Sequence, residues 1–521
     1  MASQPAAVNG GVYYDPYKRS IAESPYPIYK RMREEAPLYY NSEYDFYALT
    51  RYNDVRAAFL NHQALSSKHG DILEMIQQKI QIPPGTFIHN DPPSHAIHRN
   101  IVARIFSPRR MNGLEVEVRD ITRECLDKIA GEKEFDFIEH IGGQIPMRVI
   151  GKLLGIPEQD FEMVRESVDS RLRTEGENPL EYESGSLQLD QSFGDYIDWR
   201  MKNPADDVIT ELLGVEFTDE TGTQRKLTRD ELITYVNILA GAGNETTNKL
   251  IGWAGKTLAE FPDQRKLLVE NRELIPEAVE ELLRFEPPGP HVARYVTEDI
   301  EFHGTTVPAG SALLMIVASA NRDESIFPNP DVFDIRRDRA AHVTFGYGIH
   351  TCIGNVLARM EGRVVLDELL NRFPEWEVDL EEGELLATST VRGWATLPAW
   401  VGKEKPARKP KPVAPAGAPP PASIEGRWNV TIKGPTGPMP SELYLAATNG
   451  VLGGEQSGDG TTTVIEGIDY DAASGAVRWV NKVTKPMKLK LEFTGQVEGN
   501  TMTGKVKAGF MGSYPFTGQK L

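Results

Sequence analysis

The chain has 521 residues, of which 40% are hydrophobic and 25% charged, and its formal net charge is -18. That acidity excludes nucleic acid and an anionic membrane surface as principal partners, because both would repel it. Its two cysteines, Cys125 and Cys352, exclude a disulfide framework and a paired-cysteine metal site.

Between Met1 and Tyr14 no basic stretch leads into an apolar one, so no secretory signal is expected. The most apolar run, 311–320, is too short to span a bilayer. The expectation is a soluble, cytoplasmic protein. Short strands are expected at 38–40 and 46–49, beside turn residues. Apolar residues recur every three to four positions over 114–130, 227–260, 263–284 and 354–372, which predicts four helices. Between the last two, 300–302 and 306–307 read as a short hairpin. Residues 1–402 therefore read as one large, mainly α domain with small β-sheets.

A boundary follows. Residues 403–423 are rich in Pro, Ala and Lys, lack a set of large apolar residues, and carry five cations against Glu404 alone. Such a segment is expected to be an extended spacer. Beyond it, 424–521 changes period. Met487, Leu489, Leu491 and Phe493 alternate with Lys488, Lys490 and Glu492, as in a half-buried strand. Trp428, Val430 and Ile432 alternate likewise, as do Val477 and Trp479. Asn449-Gly450, Asp459-Gly460, Ser474-Gly475 and Glu498-Gly499 supply turns. The expectation is a separate all-β domain, an antiparallel meander closing into a small barrel or sandwich. Trp428, Tyr444, Trp479, Phe493, Phe510 and Phe516 are its expected core. With no His and no Cys, this domain is not expected to carry soft-metal or nucleophilic chemistry.

Four segments of the large domain carry chemistry. In the run Phe345-Gly346-Tyr347-Gly348-Ile349-His350-Thr351-Cys352, a lone thiol follows a glycine-rich loop and precedes a helix. Helix N-terminal N–H groups favour a thiolate there, and a thiolate so held is a good axial ligand for haem iron. A buried structural cysteine is the alternative. Gly346 and Gly348 would let the backbone approach a flat group, Phe345 would shield the sulfur, and His350 would donate to an anion. Glu281 and Arg284 lie three apart on one helix face and pair either in the core or on the surface. In Ala240-Gly241-Ala242-Gly243-Asn244-Glu245-Thr246-Thr247, glycines interrupt a long apolar helix and an acid precedes an alcohol. A local distortion of that helix is expected, and Glu245-Thr246 suits a proton relay. Finally, in the run Asp91-Pro92-Pro93-Ser94-His95, His95 and Arg99 are one helical turn apart, and two donors on one face suit a carboxylate.

The order and spacing of these four segments resemble the cytochrome P450 family of the soluble bacterial type, over roughly 15–401. The resemblance implies a haem-thiolate monooxygenase that inserts one oxygen atom of dioxygen into a C–H bond of a hydrophobic small molecule. A haem-binding sensor or carrier is the alternative. Haem b would be the cofactor and Cys352 its thiolate ligand, with Phe345 and Gly346 beside it. His95, Arg99, Arg294 and His350 would hold the haem propionates. Glu245 and Thr246 would deliver protons, under a helix kinked at Gly243. Glu281 and Arg284 would form a structural buried ion pair. Ile82, Phe87, Ala242, Val292, Thr390 and Val391 would wall the substrate pocket. Glu245 departs from the commoner Asp at its position. Two cysteines are too few for an iron–sulfur cluster, so electrons are expected from a separate ferredoxin and ferredoxin reductase. Arg109, Arg110, Arg359 and Arg363 are the expected basic docking face.

Overall fold

The computed structural model describes residues 9, 11–158, 161, 191–338, 341–388 and 390–402, and in the tail 424–434, 437–448, 451–458, 461–465, 468–470, 475–483, 489–508 and 513–521. The expected spacer at 403–423 lies outside the described residues, as do Met487, Lys488, Phe510 and most of the expected tail turns. The chain divides into two compact units, Met1–Pro406 and Ala407–Leu521.

In the first unit, the elements that matter to the site are six helices. They are α1 (Ser94–Ile105), α2 (Glu115–Lys128), α3 (Ile145–Leu154), α4 (Arg229–Glu260), α5 (Ile275–Phe285) and α6 (Asn355–Arg372). Helix α4 is 32 residues long and starts at a full capping box. Thr228 Oγ1 accepts from Glu231 N at 3.2 Å, and the Glu231 carboxylate accepts from Thr228 N at 2.8 Å. The largest core packs α4 on α3, α5 and α6, with α2 against α3 and α6. Close approach fixes one of these contacts. A Cβ on Gly255 of α4 would stand 2.8 Å from the Phe137 ring, so only glycine lets the helix lie there.

A five-stranded sheet supplies the other side. It comprises β1 (Leu38–Asn41), β2 (Phe46–Leu49), β3 (Leu65–Ser66), β4 (Val292–Val296) and β5 (Ala312–Met315), in the order β1-β2-β5-β4-β3. Strand β5 runs parallel to β2 and antiparallel to β4, with Leu313 opposite Arg294. Ser66 of β3 pairs with Tyr295 of β4, which brings the Ser66-Ser67 turn beside Arg294. The apolar run around 311–320 is thus the centre of a sheet: all four residues of β5 are buried.

Two expectations are corrected here. The helix read at 263–284 is two helices, Pro262–Glu270 and α5, joined by the 3-10 turn Arg272–Leu274. Asn271 stops the first by accepting from Glu273 N at 3.0 Å, and Pro276 starts the second. Helix α4 runs unbroken through Gly241–Thr247, so its glycines do not interrupt it. Its backbone ladder tolerates the Thr246 hydroxyl, which donates to Ala242 O at 2.9 Å.

The second unit is a nine-stranded antiparallel sheet. Its strands are β6 (Gly426–Gly434), β7 (Gly437–Thr448), β8 (Val451–Gly458), β9 (Thr461–Ile465), β10 (Ile468–Tyr470), β11 (Ala476–Val483), β12 (Leu489–Glu498), β13 (Thr501–Ala508) and β14 (Ser513–Lys520). The order is β9-β8-β7-β6-β14-β13-β12-β11-β10. The first and last strands of the unit pair, with Val430 opposite Gly518, and the consecutive strands β9 and β10 end the sheet. Strand β9 also lies against β11, which nearly closes a barrel. Trp428, Trp479, Phe493 and Phe516 fill its core, with Trp479 and Phe493 stacked at 4.4 Å. Tyr444 departs from expectation: it is 41% exposed, because it points to the outer face beside Arg427.

Candidate functional site

The cysteine loop is shaped by glycine. Gly346 and Gly348 have φ of +68° and +74°, the left-handed region that side chains disfavour. The loop closes on itself where Cys352 N donates to Phe345 O at 2.8 Å. Cys352 stands just before α6, within reach of the Gly354 N–H. Water reaches this residue, yet protein surrounds it on most sides, as in the wall of a cleft. Burial pushes the thiol up, against the pull of the Gly354 N–H, Arg99 and Arg359. A coordinated metal cation would deprotonate the thiol outright.

Four expected cationic donors converge beside this loop. The His95 and His350 rings are 4.1 Å apart. Arg99 donates to Thr351 O, and Arg294 Nη1 to Ala293 O at 2.8 Å. Burial, reinforced by Arg99, lowers His95 to about 4. Burial lowers His350 to about 2, with Arg294, His95, Arg99 and His89 adding to it. His95 Nε2 is buried and has no hydrogen-bond partner among the described residues. Buried donors that repel one another are complemented by an anion. The residues therefore fit a group that offers a metal to Cys352 and carboxylates to His95, Arg99, Arg294 and His350.

Sequence reasoning missed the groups behind these donors. Ser67 Oγ lies 3.2 Å from His350 Nε2, and Ser67 N donates to Asp91 Oδ1 at 3.0 Å. Asp71 lies 3.0 Å from His89. Asp91 stood in the quoted run without a role, while Ser67, Asp71 and His89 have no spacing that marks them.

On α4, Glu245 is buried, whereas Ala242 and Thr246, one turn apart, are exposed in the middle of an otherwise buried helix. That stripe faces open space. Gly243 does not share it: a Cβ there would meet Ile150 of α3 at 3.3 Å, so the pressure on this glycine comes from a neighbouring helix.

Glu281 and Arg284 are 5% and 2% exposed and form a bidentate pair at 2.8 Å for each bond. Arg284 also donates to Asn321 O and Pro330 O at 3.0 Å, and Arg337 Nε reaches Glu281 at 3.1 Å. The pair is a core element tying α5 to the segment that precedes the cysteine loop. Of the expected pocket residues, Ile82, Val292 and Thr390 are half-buried, Ala242 is exposed, and Val391 is buried. Phe87 is buried against Tyr235, with ring centres 5.1 Å apart. The basic face is weaker than expected. Arg359 is held by Glu280 at 2.6 Å and lies over the Phe345 ring at 4.4 Å, and Arg110 pairs with Glu211.

The family model described as cytochrome P450 matches residues 187–396. A cytochrome P450 123 protein of Mycobacterium tuberculosis is 36% identical over 389 residues, covering 74% of this chain and 96% of that one. Vitamin D(3) 25-hydroxylase of Pseudonocardia autotrophica is 34% identical over 400 residues, covering 75% of this chain and 98% of that one. The structure of CYP109E1 from Bacillus megaterium in complex with testosterone aligns with a TM-score of 0.67 at 29% identity, covering 74% of this chain and all of that one. Among the described residues, no helix is long and apolar enough to cross a membrane.

Proposed function

Because this chain belongs to the cytochrome P450 family of monooxygenases, we propose that it is a haem b enzyme that places one atom of dioxygen into a C–H bond of a hydrophobic small molecule. Haem, when bound, supplies the oxygen activation and electron-transfer chemistry. Cys352 holds the metal through its sulfur, and the Gly354 N–H and Arg99 offset the charge that develops there. His95, Arg99, Arg294 and His350 hold the anionic edge and so fix the orientation of the plane. On α4, Thr246 donates its hydroxyl proton to Ala242 O, which leaves the oxygen free to accept a hydrogen bond and so position a proton donor on the open side of the helix, with Glu245 as the acid that supplies the proton. Ile82, Val292, Thr390 and the exposed Ala242 wall the substrate side.

Electrons come from separate proteins, a ferredoxin and its reductase, since two cysteines cannot hold an iron–sulfur cluster. Vitamin D(3), named for the hydroxylase of Pseudonocardia autotrophica, and testosterone, held by CYP109E1, support testing secosteroids and steroids first. We assign 1–402 to the haem domain, 403–423 to a spacer and 424–521 to the β domain.

The observation that carries this reading is the meeting of two arginines and two histidines, one with an unpartnered buried nitrogen, at the loop that bears Cys352. Its test is the absorption spectrum of the reduced, carbon monoxide-bound protein. The thiolate red shift is expected in the wild type and lost in Cys352→His. A red shift that survives this substitution removes Cys352 as the ligand.

A further inference from the structure

His89 has no part in the scheme above. It ends the short 3-10 turn Phe87–His89, is 5% exposed, and places Nε2 3.0 Å from Asp71 Oδ1. Asp71 is tied to β4, where its carbonyl accepts from Ala293 N at 2.7 Å, one residue before Arg294. This chain of contacts links His89, through Asp71, to the strand residue next to Arg294. Burial works to raise the Asp71 carboxyl, yet His89 and Arg294 hold it at about 2, so the carboxylate stays charged.

The other ring nitrogen, Nδ1, is buried and has no hydrogen-bond partner among the described residues. Facing a carboxylate, Nε2 is placed to donate. An imidazole that carries both protons donates from both nitrogens, which suits a second anion at Nδ1. A buried polar nitrogen without a partner is costly, and an anion beside it removes that cost. The four expected donors already define where an anion sits, and the Asp71–His89 pair is joined to the strand that carries Arg294.

We propose that His89 is a further binding residue for the anionic edge of the haem, donating from Nδ1 to a carboxylate, with Asp71 as its positioning residue. This rests on the proposed function, which puts that edge at His95, Arg99, Arg294 and His350. The pair makes cofactor retention depend on an ion pair outside those four side chains. Its two members come from separate segments, one before and one after the helical turn at Leu73–Gln77.

The test is the rate at which haem passes from the holoprotein to excess apomyoglobin. His89→Phe and Asp71→Asn are each expected to release haem roughly tenfold faster, the effect of losing one charge-assisted hydrogen bond. His89→Gln keeps an amide donor of similar reach and is expected to release more slowly than His89→Phe. The carbon monoxide-bound spectrum stays of the thiolate type in all of them. Release at the wild-type rate from His89→Phe, with that spectrum intact, overturns the proposal. Absence of the thiolate-type band in the wild type instead overturns the haem-thiolate reading on which it rests.

Discussion

Thr246 shows what one side chain contributes. It is exposed on a helix whose flanking residues are buried, and its hydroxyl is oriented by Ala242 O at 2.9 Å. Replacing Thr246 with Ala removes the oxygen that would position the proton donor but leaves the α4 ladder intact. Product formed per electron consumed is expected to fall by roughly 100-fold, the lower end of the effect of a lost proton-transfer group. Full coupling in that variant would remove Thr246 from the relay. The Glu245-Thr246 pair was legible in sequence because the two are adjacent and need only a helix to present them. Ser67, Asp71 and His89 were not legible. Ser67 meets His350 across 283 residues of chain, and no local pattern encodes that meeting.

Among the elements, α5 is held less by its own length than by what its buried pair reaches. Arg284 satisfies Glu281 in two bonds and two carbonyls of the segment beyond. Arg284→Ala would leave a carboxylate buried, paired among the described residues with Arg337 alone. We expect destabilisation of about 3–5 kcal/mol, measured by denaturant unfolding of the holoprotein. A change within about 0.5 kcal/mol would mark the pair as no more than a surface pair. Sequence periodicity found this helix but joined it to its predecessor. Apolar spacing continues in phase across Asn271 and Pro276, while the cap and the proline interrupt the backbone. At α4 the error ran the other way. Glycines pointed to a local distortion, yet the helix runs unbroken through them, with Gly243 packed on Ile150.

Each of the two compact units buries its own core. Among the described residues, the tail core comprises residues from Ile424 to Phe516. Calorimetry of the full chain is therefore expected to show two separate transitions. A chain ending at 402 is expected to lose only one of them and to keep the thiolate-type spectrum. A single transition shared by both units, or loss of the spectrum on truncation, would show that the units depend on each other.

Neighbouring residues were enough to encode the glycine-shaped cysteine loop, the adjacency of Glu245 and Thr246, the helices expected at 114–130, 227–260 and 354–372, and the alternating strands of the tail. Backbone freedom, helical period and strand alternation are all local properties. Contacts across the fold were needed to pair the first and last strands of the tail, to leave β9 and β10 at the ends of the sheet, and to turn Tyr444 outward. They also join Asp71 to His89 and to the strand that carries Arg294. These outcomes depend on distant segments meeting in the low dielectric of a shared interior, where a charge takes its meaning from whatever the fold sets beside it.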